Sequence, residues 1–239
     1  MINNFANKAL KLTLKDVKID VSDTGGDNFE FEDDQRGKAA LSVQGDGNVE
    51  IELDGKNELK SGAHRAGLEK NTSTSTGTLT LKDDNNEAGS LTATGGDWGA
   101  GIGNGGNRSG ENITITGGTV NATSNDGAGI GGGVNGIGSK VTVSGAAQVT
   151  ATATGSGPDW SGVGTGATIG NGGSKTPDGP VDGKEIQADI SGLTTGYIHH
   201  IIYNPDLDSD GKPDGILKEW WEPERPQPNP GAPAEESNE

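Results

Sequence analysis

GDWGAGIGNGG (Gly96–Gly106), ENITITGG (Glu111–Gly118) and TVNATS (Thr119–Ser124) follow one another, and the order is then repeated by DGAGIGGG (Asp126–Gly133), KVTVSG (Lys140–Gly145) and QVTATA (Gln148–Ala153). The short phrase at the head of each set occurs four times: AGLEK at Ala66–Lys70, AGIGNGG at Ala100–Gly106, AGIGGG at Ala128–Gly133 and ATIGNGG at Ala167–Gly173. A phrase recurring at this interval marks one supersecondary unit stacked on itself. Such a chain is expected to be a rigid surface or recognition module rather than a compact enzyme.

Within each unit the apolar residues alternate. Ile113 and Ile115 are followed by Val120 and Ala122, and Val141 and Val143 by Val149 and Ala151. The same grammar runs upstream: Leu12 and Leu14 before Val17, Ile19 and Val21; Val49, Ile51 and Leu53 before Leu59; Leu79 and Leu81 before Leu91. Period-two alternation reads as strands with one buried face. From Leu68 to Ile102 is 34 positions, from Ile102 to Ile130 is 28, and from Ile130 to Ile169 is 39. Uneven intervals with a constant strand phrase mean turns of uneven length around a fixed core.

Helical repeats share this period but not this pattern. An interior rich in Gly, Thr and Val costs a helix roughly 0.5–1 kcal/mol per residue relative to Ala. A propeller blade needs larger apolar residues and a fourth strand. The expected fold is therefore all-β: a right-handed, single-stranded parallel β-helix solenoid, with layers ~4.8 Å apart. Residues 1–40 read as an N-terminal coil or cap, 41–195 as the solenoid body, 196–222 as a C-terminal cap and 223–239 as a disordered acidic, Pro-rich linker. The aromatics support capped ends: Phe5, Phe29 and Phe31 precede the body, and Tyr197, Tyr203, Trp220 and Trp221 follow it.

Composition agrees. Gly accounts for 43 of 239 residues and aromatics for 4%, so only a narrow core of small and β-branched side chains can be built. The net charge of -17 disfavours nucleic acid and anionic membranes as partners, since phosphate binding needs clustered Lys and Arg. There is no cysteine, hence no disulfide framework. No apolar run approaches the ~20 residues of a membrane span. MINNFANKALKL carries no signal-peptide core and PERPQPNPGAPAEESNE reads as a spacer, so the chain is expected to be a fragment of a larger multidomain protein.

GDWGAGIGNGG, ENITITGGTVNATS, DGAGIGGG and SKVTVSG resemble the glycine-rich parallel β-helix regions of secreted and cell-wall-attached proteins of Firmicutes and related gut bacteria, over roughly residues 41–175. Some of these are grouped as carbohydrate-binding proteins similar in fold to pectate lyases. The resemblance implies an extracellular location at the bacterial cell surface or wall. It also implies a non-catalytic role in binding polysaccharide or a host glycoprotein, as an adhesin does.

Two pairs of residues suit sugar binding. Asp97-Trp98 and Asp159-Trp160 both precede the repeat phrase, where an aromatic ring can stack on C–H faces and a carboxylate can take hydroxyls. The same tryptophans could instead fold over the stack as plugs; a purely structural stalk predicts that placement. A calcium-binding pattern lies beyond the repeats, with Asp206, Asp208, Asp210 and Asp214 spaced around Gly211 as a calcium loop requires. The twelfth position is Leu217, so the loop resembles the shorter DxDxDGxxD repeats rather than an EF-hand. Calcium there would order the cap. The acidic residues Asp23, Asp27, Asp33, Asp34, Asp83, Asp84 and Glu87 have two readings, calcium bridging between an acidic polysaccharide and the wall or, more commonly for such clusters, solvated turns. A polysaccharide lyase is the third reading; it needs a base such as Arg65 or Arg108 beside calcium-binding carboxylates.

Overall fold

The computed structural model describes residues 1–26, 36–70, 76–85, 87–155, 162–204 and 212–224. Their regular structure is entirely β. The chain opens with β1 (Ile2–Asn3), β2 (Leu10–Lys15) and β3 (Lys18–Asp20), followed by β4 (Leu41–Gln44) and the long β5 (Val49–Lys60). Next come β6 (Leu68–Lys70), β7 (Leu79–Lys82) and β8 (Gly89–Thr94). Two further rounds supply β9 (Ile102–Gly103), β10 (Gly110–Ile115) and β11 (Thr119–Ser124), then β12 (Ile130–Gly131), β13 (Gly138–Val143) and β14 (Gln148–Ala153). The last are β15 (Ile169–Gly170), β16 (Ser174–Thr176), β17 (Gly179–Val181), β18 (Tyr197–Tyr203) and β19 (Ile216–Glu222).

The four copies of the phrase pair in register. β1, β4, β6, β9, β12 and β15 form a six-stranded parallel sheet in which Leu41, Leu68, Ile102, Ile130 and Ile169 make one column. Other columns run Val49, Leu79, Ile113, Val141 and Ile51, Leu81, Ile115, Val143. Their side chains are essentially fully buried. Each Leu or Ile so buried is worth about 1.5–3 kcal/mol.

The expected single-stranded right-handed parallel β-helix with capped ends is corrected by the sheet topology, which is mixed. β5 pairs β2 and β7 through its first half and β3 and β8 through its second, and so joins two ladders into one curled, half-barrel sheet of eleven strands. Gly55 sits at that junction with φ 61°, and the Lys56 amide donates to Asp16 Oδ1 at 3.0 Å. The strand can thus bend without ending. That sheet closes on an antiparallel pair, β18 with β19, and β16 with β17 forms a separate antiparallel hairpin. Apolar alternation records which face a residue occupies and carries no strand direction, so these reversals were invisible in it.

The placement of aromatics is uneven. Phe5 is 72% exposed and plugs nothing; Phe29 and Phe31 lie outside the described residues. The other end is closed by departures from the repeat. The column Leu59, Ala93, Ala122, Ala151 runs on into His200 and then Trp220, whose rings stack at 4.4 Å, and the fourth copy of the phrase reads ATIG where the others read AG. The larger side chains that replace alanine and glycine meet: His200 Nδ1 lies 2.6 Å from Thr168 Oγ1, both buried.

Candidate ligand-binding face

The outward face of the β3–β5–β8–β11–β14–β18–β19 ladder carries rows of aligned side chains. One row runs Lys18, Glu58, Thr92, Asn121, Thr150, His199 and Trp221. Seven strands at ~4.8 Å make it about 29 Å long. Its first third is charged: Lys18 and Lys60 lie 3.0 and 2.9 Å from the Glu58 carboxylate, which their hydrogen bonds hold below its ordinary pKa. Its middle is uncharged. Thr and Asn suit an outward strand position, where a short polar branch rests on the pleat.

A polar groove of about 430 Å³ borders the charged end, lined by Ser22, Asp23, Lys60, Ser61, Thr94 and Asp97 among others. Lys60 and Thr94 are neighbours in an adjoining ladder row, so groove and ladder are continuous. Ser22 and the exposed Asp97 line a cavity built from three stacked turns, the Ser22 hydroxyl donating to Asp20 Oδ1 at 2.6 Å.

Asp97 and Trp98 part company here. Asp97 is exposed at the groove, with Asn125 Nδ2 donating to it at 3.4 Å. Trp98 is 8% exposed, with φ 68°, and meets the buried His64 edge-on at 4.8 Å. Of the two placements open for this tryptophan, the structure has the plug, and its ring offers no sugar platform. Burial, with the Arg36 guanidinium nearby, holds His64 below its ordinary pKa. Asp159 and Trp160 lie outside the described residues.

Asp206, Asp208 and Asp210 also lie outside them, and so do residues 225–239 of the expected linker. Asp214 is exposed before β19, its amide donating to the Asn204 carbonyl at 3.2 Å. Among the described residues no group of three His, Asp or Glu could hold a metal ion. The lyase candidates are placed as follows. Arg65 donates to the Gly37 carbonyl at 3.1 Å and to Glu69 Oε1 at 2.9 Å, and Arg108 is half-buried. Glu69 is 1% exposed, and its Oε2 meets no donor among the described residues.

Two arrangements were beyond the reach of pattern. One is the buried chain Glu185–Thr168–His200. Glu185 accepts from the Thr168 amide at 2.6 Å, the Ile169 amide at 3.1 Å and the Thr168 hydroxyl at 2.9 Å. With that hydroxyl donating to Glu185, His200 Nδ1–H donates to Thr168, and Nε2 meets no partner among the described residues. Burial, followed by the nearby positive groups His199 and Lys218, pushes His200 down to about 4, and burial raises Glu185. The other is the aromatic group at the end of the ladder. His199 stacks on Trp221 at 3.8 Å and 5°, and Tyr197 meets Trp221 edge-on at 5.0 Å. The only sequence signal for either was the alternation in GYIHHIIY, which puts His199 and His200 on opposite faces.

No family model, curated protein or solved structure matches this chain.

Proposed function

We propose that the chain is a non-catalytic glycan-binding module of an extracellular bacterial surface protein. The outward ladder carries this reading: a repeating run of hydroxyl and amide side chains, continuous with a polar groove. An extended hexose chain advances by a step close to the strand spacing, so hydroxyls along the glycan meet Thr92, Asn121 and Thr150 in turn. Hydrogen bonding along an open face holds a chain without deforming it, which suits adhesion. In the same reading, calcium held by the 206–214 loop orders the segment between β18 and β19.

The test is affinity electrophoresis of the full chain through gels containing mucin, cellulose derivatives or pectin, with and without a chelator. Retardation lost in Thr150→Arg, which puts a long charged side chain in mid-ladder, supports the proposal. Equal migration in every gel sinks it.

The burial of Trp98 favours a second reading, a structural stalk that spaces other domains from the wall. It predicts no retention on any glycan.

A further inference from the structure

The stack is closed at one end and open at the other. Beyond β13 and β14 lie segments that break the repeat: Asp189 and Leu193 bridge to Thr142 and Gly145, and β18 and β19 continue the β14 ladder. At the opposite end β2 and β3 pair with β5 on one side, and among the described residues no strand pairs with their second side. Burial falls away there. Leu10 is 38% exposed, whereas Val49 and Leu79 in the same column are 0%. Leu12, Val17, Ile19 and Val21 are half-buried, and Met1 and Phe5, flanking β1, are exposed.

The backbone of β2 decides what this edge can accept. The amides of Leu10 and Asp16 donate to the Asn48 and Asp54 carbonyls, so the even-numbered residues bond to β5. The amides and carbonyls of Lys11, Thr13 and Lys15 therefore point to the open side. Such a row is a template for another strand, and lysine on an edge normally repels one. Here the charge is answered within the sheet: Lys11 lies 3.3 Å from Glu50, Lys15 pairs with Glu87, and Lys18 lies 3.0 Å from Glu58. What remains is apolar inward and nearly neutral outward, which suits a partner of the same character.

The strand is also complementary to itself. Two copies of LKLTLK (Leu10–Lys15) can lie antiparallel with all leucines on one side. One register sets Lys11 against Lys11, and another sets Lys11 against Lys15. The register between them sets Lys11 against Thr13, Leu10 against Leu14 and Leu12 against Leu12, so no lysine meets a lysine. In it Lys11 and Thr13 exchange both backbone hydrogen bonds, twice over by symmetry.

We infer that the open edge of β2 joins two copies of this chain into a closed two-fold dimer, Leu12 meeting Leu12 on the axis and each open end covering the other. A two-fold contact occupies the same edge on both copies, so the assembly stops at two. The dimer does not depend on glycan binding.

The experiment is sedimentation equilibrium of the full chain, with the register read by cysteine. The chain has no cysteine of its own, so Leu12→Cys, Lys11→Cys and Thr13→Cys each introduce a single thiol. The opposed Leu12 positions form a non-hydrogen-bonded pair with Cα atoms about 4.5 Å apart, within disulfide reach. The expected mass rises with concentration to twice that of the chain, and mild oxidation captures Leu12→Cys as a covalent dimer far more than the other two. Thr13→Pro removes an outward amide and no bond to β5, so it abolishes the dimer while circular dichroism keeps the β spectrum. If that variant does not fold, the cysteine pattern decides alone. A chain that stays monomeric at every concentration overturns the dimer, and so does a mass that grows beyond two copies, the mark of head-to-tail stacking. Capture through Lys11→Cys or Thr13→Cys in place of Leu12→Cys overturns the pairing at Leu12. A dimer that none of the three cysteines captures, or that a folded Thr13→Pro retains, overturns the assignment to β2.

Discussion

Gly131→Ala tests whether the repeated phrase fixes the stacking geometry. Gly103, Gly131 and Gly170 form one column of the six-stranded sheet with φ of 139°, 141° and 145°, a region essentially reserved for glycine. Holding another residue there costs about 1–3 kcal/mol. The added methyl at 131 would also fall well inside contact distance of the Gly170 carbonyl, and relieving such a clash costs about 1–3 kcal/mol more. Together these make about 2–6 kcal/mol, a large part of the 5–15 kcal/mol that holds a typical domain. Two controls separate the causes. Gly179 has φ 126° with nothing within 4 Å of a Cβ, so Gly179→Ala reports backbone strain alone. Gly105 has no positive φ but is pressed against the His64 carbonyl, so Gly105→Ala reports crowding alone. Urea unfolding followed by circular dichroism measures all three. A Gly131→Ala unfolding free energy within about 1 kcal/mol of wild type would refute the claim that the column is conformationally locked.

Trp98→Ala should lower stability by about 3 kcal/mol, the cost of emptying a buried indole site, while leaving migration in glycan gels unchanged at temperatures well below melting. Arg65→Ala strips Glu69 of its ion-pair partner and should cost about 3–5 kcal/mol. Thermal melts should show most of that loss recovered when Glu69→Gln is added, and no recovery would mean that Arg65 acts through packing. His200 gives an acid response. Its folded pKa of about 4 lies below the ordinary 6.5, so the unfolded chain takes up the proton first. Stability is full above about 6.5 and falls by about 3 kcal/mol as pH drops towards 4. Glu185, raised by burial, acts in the opposite sense, its contribution present at low pH and lost as pH rises through its raised value. His200→Asn keeps a donor for Thr168 and removes the titration, so its unfolding free energy should lose this slope between pH 6.5 and 4; an unchanged slope would assign the response elsewhere.

Strands, buried faces and register were legible in the chain because they are local. A strand turns successive side chains to opposite faces, so Ile113, Ile115, Val141 and Val143 announce an apolar column wherever the strand goes. The phrase AGIG repeats because each copy sits on the last: Leu68, Ile102, Ile130 and Ile169 pair despite unequal intervals, the surplus residues being absorbed in turns. What the tertiary structure alone decided was direction and partnership. Nothing in Val49–Lys60 says that one strand will serve two ladders, because Gly55 permits a bend without requiring it. The reversal of β19 is equally silent, since antiparallel and parallel strands share the same alternation. The same holds for the sites. Asp97 and Trp98 are adjacent in the chain, and the turn sends one to the groove and the other inside. Trp221 reads as a cap residue until pairing brings it onto His199, twenty-two positions away by number and 3.8 Å away ring to ring. Period-two patterning is written by burial, which each residue meets on its own; contacts between distant residues depend on where the whole chain turns.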